Sequence, residues 1–192
     1  MRLVLDWDGT CTVSDSLVDA IHRFGDERVL RAGHGSYGES LAAEVGSIRA
    51  HAATVSAWAV EHVQVRPGLH ALAARYRPVI VSSGLPQLIT PVLAREGLEL
   101  EVRSNDADPA PGGWRLRFRD DGPCPVCGDM CKRRSLPEGH PLVYAGDGVS
   151  DRCAARAADR VFARSWLAAE LEREGISHER FETMDDIAAA LS

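Results

Sequence analysis

Apolar and polar residues alternate along the chain in a way that divides it into short buried strands and amphipathic helices. Leu3-Val4-Leu5 is an unbroken apolar run that stops at Asp6-Trp7-Asp8-Gly9-Thr10, the pattern of a buried parallel strand that ends in a turn. Leu17, Val18, Ile21 and Phe24 then recur at helix spacing, with Ser14 and Asp15 as candidate caps and Gly25 closing the run. From Asp26 to His62 the pattern stays helical, with Val29, Leu30, Leu41, Val45, Ile48, Val55, Trp58 and Val60 as predicted buried positions and no strand signal between them.

Strands return after a helix that follows Arg66-Pro67-Gly68 and ends near Tyr76. Pro78-Val79-Ile80-Val81 is β-branched and ends in Ser82-Ser83-Gly84, and a helix from Pro86 to about Glu96 follows. Leu98 to Arg103 and Trp114 to Phe118 read as two strands around the Pro/Gly-rich loop 108–113, which suggests a hairpin or an edge extension. Leu142 to Ala145 is a third core strand, ending in Gly146-Asp147-Gly148-Val149-Ser150-Asp151, with a helix to Ala158 behind it. A strand over Arg160 to Ala163 and helices over Trp166 to Glu174 and Met184 to Leu191 complete the pattern. The fold expected is α/β: a Rossmann-like three-layer core around a parallel sheet, residues 1–14 and 64–192, with a small helical cap, residues 15–63, inserted after the first strand.

In this arrangement polar groups collect at the carboxyl ends of three strands, where open α/β sheets bind ligands. Asp6 can serve as nucleophile or metal ligand, with Asp8 two residues on as proton donor and acceptor. Taken alone, that pair is equally well an Asp-Gly turn closing an ordinary strand. Ser82 offers a hydroxyl to an anion, and the backbone N–H groups of Ser83 and Gly84 lead into a helix N-terminus. Of the 22 basic residues only Lys132 is a lysine. That points to a position needing a compact ammonium rather than a guanidinium fork, although one surviving surface lysine has the same count.

Composition narrows the classes further. At 192 residues, 45% hydrophobic and 26% charged, the chain suits a soluble globular protein with one sizeable core plus an insertion. A net charge of -6 disfavours nucleic acid and anionic membrane surfaces as partners. No apolar run approaches a membrane span and no signal-peptide pattern is present, so the expected location is cytoplasmic, as a monomer or homodimer. Five cysteines, three of them at Cys124, Cys127 and Cys131, do not form a secreted disulfide framework. The three have zinc-ligand spacing, with Cys11, His140 or Asp129 as the fourth ligand, but the missing second pair favours three reduced thiols beside the site. His34, His51, His62, His70 and His178 form no ligand or triad pattern.

Taken together, strand-Asp6-x-Asp8-Gly-Thr, strand-Ser82, Lys132 and strand-Gly-Asp147-Gly-x-x-Asp151 resemble the four motifs of the haloacid dehalogenase superfamily. Asp-Trp-Asp-Gly-Thr followed by Asp15, Arg66-Pro67-Gly68, the cysteines before Lys132 and Phe162-Ala163-Arg164 are similar to the phosphoserine phosphatase-like branch, in particular to its 2-hydroxy-3-keto-5-methylthiopentenyl-1-phosphate phosphatases. The cysteine-plus-lysine stretch also looks like that of the phosphoethanolamine/phosphocholine phosphatases. The resemblance implies a phosphatase of small phosphomonoesters that works through an aspartyl-phosphate on Asp6, with Asp8 as acid and base. It implies Mg²⁺ held by Asp6, the backbone carbonyl of Asp8 and Asp147, phosphate bound by Ser82 and Lys132, and Asp151 orienting Lys132 or the metal shell. Asp8 speaks against dehalogenation, which needs no such acid. In phosphoserine phosphatases an acid matching Asp15 binds the substrate amine and a cap arginine binds its carboxylate. Glu44 falls near the arginine's place, which predicts that phosphoserine is a poor substrate, unless Arg49 takes the part. A non-catalytic phosphate-ligand binding protein on the same fold is the alternative, and the intact set of six motif residues argues against it.

Overall fold

The computed structural model describes residues 1–32 and 35–192; His34 lies outside the described residues. Six strands form one parallel sheet in the order β3-β2-β1-β6-β7-β8: β1 (Arg2–Leu5), β2 (Val79–Val81), β3 (Val102–Arg103), β6 (Leu142–Gly146), β7 (Arg160–Ala163) and β8 (Glu179–Arg180). The sheet is doubly wound. From β1 the chain builds outward through β2 and β3 on one side and through β6, β7 and β8 on the other. The order therefore reverses between β1 and β6, and a crevice at the carboxyl ends of these two strands is the ligand position such sheets favour.

Side chains on β1 alternate between two cores, as a strand covered on both faces requires. Leu3 and Leu5 join a cluster with Leu69, Leu72, Leu88, Ile89 and Ile187, from α4 (Leu69–Tyr76), α5 (Pro86–Arg95) and α8 (Met184–Ala190). Val4 joins Val79, Tyr144, Ala154, Leu167 and Leu171, under α6 (Arg152–Ala155) and α7 (Ser165–Arg173).

Among the described residues, the elements between β1 and β2 are helical: after the turn that follows β1 come α1 (Ser16–Phe24), a 3₁₀ turn at Glu27–Arg31, α2 (Tyr37–Gly46) and α3 (Ala52–His62), and then α4. The ends of α1 carry the predicted signals, and α2 adds a cap that was not predicted. The Asp15 carboxylate accepts from the Val18 N–H, Gly25 closes α1, and Ser36 and Glu39 form a reciprocal capping box on α2. Leu41, Val45, Ile48 and Val55 are buried as predicted. Val60, predicted buried, is exposed. Trp58 is half-buried, edge-on to Phe24 at 5.8 Å between ring centroids and stacked on His62 at 5.4 Å.

Two further sequence expectations change. Of the two readings for 98–103 and 114–118, the edge extension holds for Val102–Arg103, which adds to the main sheet beside β2, while the hairpin partner of β5 (Arg115–Arg117) is instead β4 (Asp106–Asp108). Asp106 and Asp108 carry an acidic, strand-disfavouring signal that hides β4, but across the ladder they pair with Arg117 at 2.5 Å and Arg115 at 2.8 Å. The helix expected from Asp151 to Ala158 is only a 3₁₀ turn, Val149–Asp151, and the four-residue α6. Strand β8 has two charged residues and no pattern to read. No helix among the described residues is long and apolar enough to cross a membrane.

Candidate active site

Strand register brings the motif acids together. Leu5 pairs with Ala145 on one side and Ile80 on the other, so the residues that follow, Asp6, Asp147 and Ser82, leave the sheet at one edge. After β1 the chain makes a helical turn over Trp7–Cys11, irregular at Asp8 and Gly9. Gly9 stands at φ +71°, and a Cβ there would run into the Asp147 carboxylate, so the glycine lets the first and last motif loops touch.

Behind this turn a guanidinium holds the backbone. Buried Arg66 donates to the carbonyls of Thr10 (2.8 Å), Gly9 (2.8 Å), Thr12 (2.9 Å) and Glu182 (3.0 Å). Arg164 adds a second donor to Gly9 at 2.9 Å. Arg66 was legible only as part of a motif string, because nothing local says that its partners are four carbonyls distant in sequence.

At the centre, the Lys132 ammonium bridges Asp6 and Asp151, 2.6 Å from the latter. Asp151 is fully buried and saturated: it also accepts from the Tyr144 hydroxyl (2.5 Å) and the backbone N–H groups of Asp147 (3.0 Å) and Gly148 (2.8 Å). Burial opposes charge on Asp151, but Lys132 and these donors outweigh it and hold its carboxyl below the usual value. Burial opposes the Lys132 charge as well, and the two carboxylates outweigh it and raise its pKa. A point charge on a thin stem suits this gap between two carboxylates, which explains the single lysine. Tyr144 was not singled out from the sequence; its hydroxyl is invisible in an apolar strand run until the fold turns it toward Asp151.

Asp6, Asp147 and Asp151 each place a carboxylate oxygen within 4.8 Å of the others. Asp6 is pushed well above its usual pKa, by burial first and then by Asp151, and Asp147 upward by burial and Asp151. Three carboxylates against one ammonium leave an excess of negative charge in a buried place, and hard oxygen donors in that number fit a divalent cation such as Mg²⁺. The Thr10 hydroxyl donates to Asp147 at 3.1 Å and helps to orient it.

Asp8 stands apart from this trio, in the pocket wall. Its Oδ1 accepts from the Ser16 hydroxyl (2.5 Å) and N–H (2.9 Å). Burial, then the charge of Asp15, pushes its pKa up to about 7, where a carboxyl can both give and take a proton near neutrality. Ser82 is buried; its Oγ accepts from the Gly84 N–H at 2.8 Å, so that N–H, expected to face an anion, is already taken. A Cβ on Gly84 would lie 2.8 Å from the Asp8 carboxylate and 3.1 Å from the Ser82 hydroxyl. The glycine therefore lets the loop pass close to both groups; Asp8 lines the cavity, whereas Ser82 stays buried behind Ser83 and Gly84, which line it.

The cavity in front of these residues holds about 240 Å³. Asp15, Glu44, Ser83, Gly84 and Ser150 line it together with Leu17, Val18, Tyr37 and Leu41. Glu44 is pushed up to about 7 by burial and by Asp15. Arg49 lies elsewhere, donating to the carbonyls of Gly46 and Ile48. Lys132 is the one basic side chain among the described residues that line the cavity.

The cysteine expectation is corrected in its fourth member. Cys153, at the start of α6, joins Cys124, Cys127 and Cys131, with all four sulfurs within 4.8 Å of one another. Cys11 instead lies buried as the last residue of the turn after Asp6, and His140 pairs with Asp159 at 2.7 Å. Asp129 is neither: its carboxylate accepts from the N–H groups of Tyr37 (2.7 Å) and Gly38 (3.0 Å) at the start of α2.

Comparison with known proteins agrees with this geometry. A 2-hydroxy-3-keto-5-methylthiopentenyl-1-phosphate phosphatase of Exiguobacterium sibiricum is 25% identical, over 97% of this chain and 94% of its own. One of Brevibacillus brevis is 27% identical, over 99% and 95%. A phosphoserine phosphatase solved as a phospho-aspartyl intermediate analogue shares the fold at a TM-score of 0.72 and 14% identity, over 98% of both chains. The model of the haloacid dehalogenase-like hydrolase family matches residues 3–156, and the chain belongs to that family, as an enzyme of its phosphatase type.

Proposed function

We propose that this chain is a Mg²⁺-dependent phosphatase of a small phosphomonoester whose alcohol part is uncharged or cationic. The observation that carries the reading is the Asp6–Lys132–Asp151 bridge opening, beside Asp147 and Asp8, onto one small pocket. Asp6 attacks phosphorus through a carboxylate oxygen, and the ester oxygen leaves with the proton that Asp8 gives it. Asp8, now ionised, takes a proton from water, whose oxygen attacks the phosphorus of the aspartyl-phosphate and releases Asp6 and inorganic phosphate. Lys132 and the Ser82 hydroxyl bind phosphoryl oxygens, and Asp151 with Tyr144 keeps Lys132 in place. Asp6, Asp147 and the backbone carbonyl of Asp8 would hold Mg²⁺, with Asp151 beside them; the ion supplies charge stabilisation at the phosphoryl group. The helical block of residues 15–63 acts as the cap.

The substrate class follows from the wall. Asp15 and Glu44 line the same pocket as Leu17, Val18 and Leu41, and with Lys132 engaged by the carboxylates and the phosphoryl group no other cation among the described lining residues is left for a substrate carboxylate. Phosphoserine is thereby disfavoured. A methylthiopentenyl phosphate, the substrate in the names of the two relatives, and phosphoethanolamine or phosphocholine all meet the requirement. Phosphate release from these esters, phosphoserine and sugar phosphates, with and without Mg²⁺ and beside Asp6→Asn, tests the reading. Turnover should need Mg²⁺ and Asp6 and should be at least about tenfold lower on phosphoserine, as an unpaired buried carboxylate costs about 1.4 kcal/mol or more. Equal turnover of phosphoserine overturns the substrate class. Phosphate binding without turnover of any ester overturns the phosphatase and favours a binding protein.

A further inference from the structure

Residues 118–131 form no regular helix or strand, and ordering such a stretch costs about 1–2 kcal/mol per residue in backbone entropy. Apolar burial does little to offset this, since Val126 is 62% exposed. What the loop does present is sulfur. Cys124 and Cys127 lie on a tight turn closed by the Gly128 N–H on the Cys124 carbonyl (2.8 Å) and the Cys124 N–H on the Asp129 carbonyl (2.9 Å). Gly128 stands at φ +74°, a conformation that favours glycine. Cys131 follows at the loop's end, and Cys153 arrives from α6.

The four thiols are free, and their sulfurs lie within 4.8 Å of one another, with Cys124 and Cys153 3.9 Å apart. Around a tetrahedral zinc with Zn–S bonds of ~2.3 Å, sulfurs sit ~3.8 Å apart. Four thiols converging from two distant segments at this spacing have the ligand number, type and separation of a closed site. A sulfur–sulfur bond would need about half that distance.

We propose that Cys124, Cys127, Cys131 and Cys153 bind one Zn²⁺ as thiolates, in a structural site separate from the carboxylate trio. Its closed four-sulfur shell leaves no position for water, so the ion holds shape rather than performing chemistry. The shape matters at both ends. Cys131 precedes Lys132, and Cys153 follows Asp151 by two residues, so the ion ties together from behind the two segments whose side chains form the Lys132–Asp151 bridge. The same loop carries Asp129, whose carboxylate seats the N-terminus of α2. Binding draws the protons off the thiols, and the doubly negative tetrathiolate centre lies in a segment with Arg133 and Arg134 on one side and Arg152 on the other.

Elemental analysis of the full chain, purified without chelator and under reductant, tests the site without reference to turnover. The expected result is about one zinc per chain, released on titrating the thiols with a mercurial reagent and bound again on adding Zn²⁺ alone. Cys153→Ser should hold zinc at least roughly a hundredfold more weakly against a competing chelator, whereas Cys11→Ser should match the wild type. Should Cys153→Ser fail to fold, the wild-type metal content still decides. Protein that lacks zinc and takes none up, that carries iron in its place, or that shows a Cys124–Cys153 disulfide overturns the proposal. Loss of phosphatase activity with zinc intact would count against the proposed function alone.

Discussion

Asp8 ties proton chemistry to stability in one side chain. Its pKa rises from 3.8 to about 7 on folding, through burial and then Asp15, so between these values the folded state holds a proton that the unfolded chain releases. A raised carboxyl stabilises fully below its unfolded pKa and loses that contribution as pH rises through the folded one. In Mg²⁺-free buffer the wild type should therefore lose stability from about pH 4 to pH 7, as read from denaturant midpoints. Asp8→Asn, which cannot ionise, should show a shallower slope, though not a flat one, because Asp15 and Glu44 shift in the same direction. The same variant should lower turnover by about 10²- to 10⁴-fold, the usual loss of an acid–base group. An unchanged pH slope would show that Asp8 is ionised throughout.

At the scale of elements, the helical block is fastened to the core by polar contacts as well as by packing. Pro91 inside α5 has no N–H for the Gln87 carbonyl one turn earlier, and the Ser56 hydroxyl of α3 donates to that carbonyl at 3.0 Å. Asp129 satisfies the first N–H groups of α2 from outside the block. Replacing it by alanine removes a charged cap, worth about 1–2 kcal/mol, and should speed hydrogen exchange over Tyr37–Gly46 while leaving the sheet protected. Uniform protection across the two proteins would mean that α2 is seated by its apolar face alone. Helices and strands with a regular apolar period were legible in the sequence. Strand β4 was not, because its signal is two aspartates whose arginine partners come from the opposite strand.

Over the whole molecule, Arg66 joins the Asp6 turn to the C-terminal segment through four carbonyls, one of them 116 residues away. Arg66→Met keeps much of the volume and removes every donor. With several buried carbonyls left unpaired, the variant should lose roughly 3–5 kcal/mol of stability. Its residual activity at low temperature should also fall, because the turn that aims Asp6 and Asp8 is freed. A stability loss under about 1 kcal/mol would mean that the carbonyls find other donors.

The division between sequence and tertiary structure follows the range of the forces involved. Apolar periodicity, caps and the Asp6, Asp8, Ser82, Lys132, Asp147 and Asp151 motifs are local patterns, and by themselves they determined an α/β sheet with its candidate chemistry at one edge. The partners were decided only when the sheet closed. Strand register placed Asp6 beside Asp147, burial between two carboxylates gave Lys132 its place, and α6 brought Cys153 beside Cys124, Cys127 and Cys131. Hydrogen bonds, ion pairs and metal ligands act over a few ångströms of space regardless of chain separation, so contacts between residues far apart in the sequence leave no periodic trace in it.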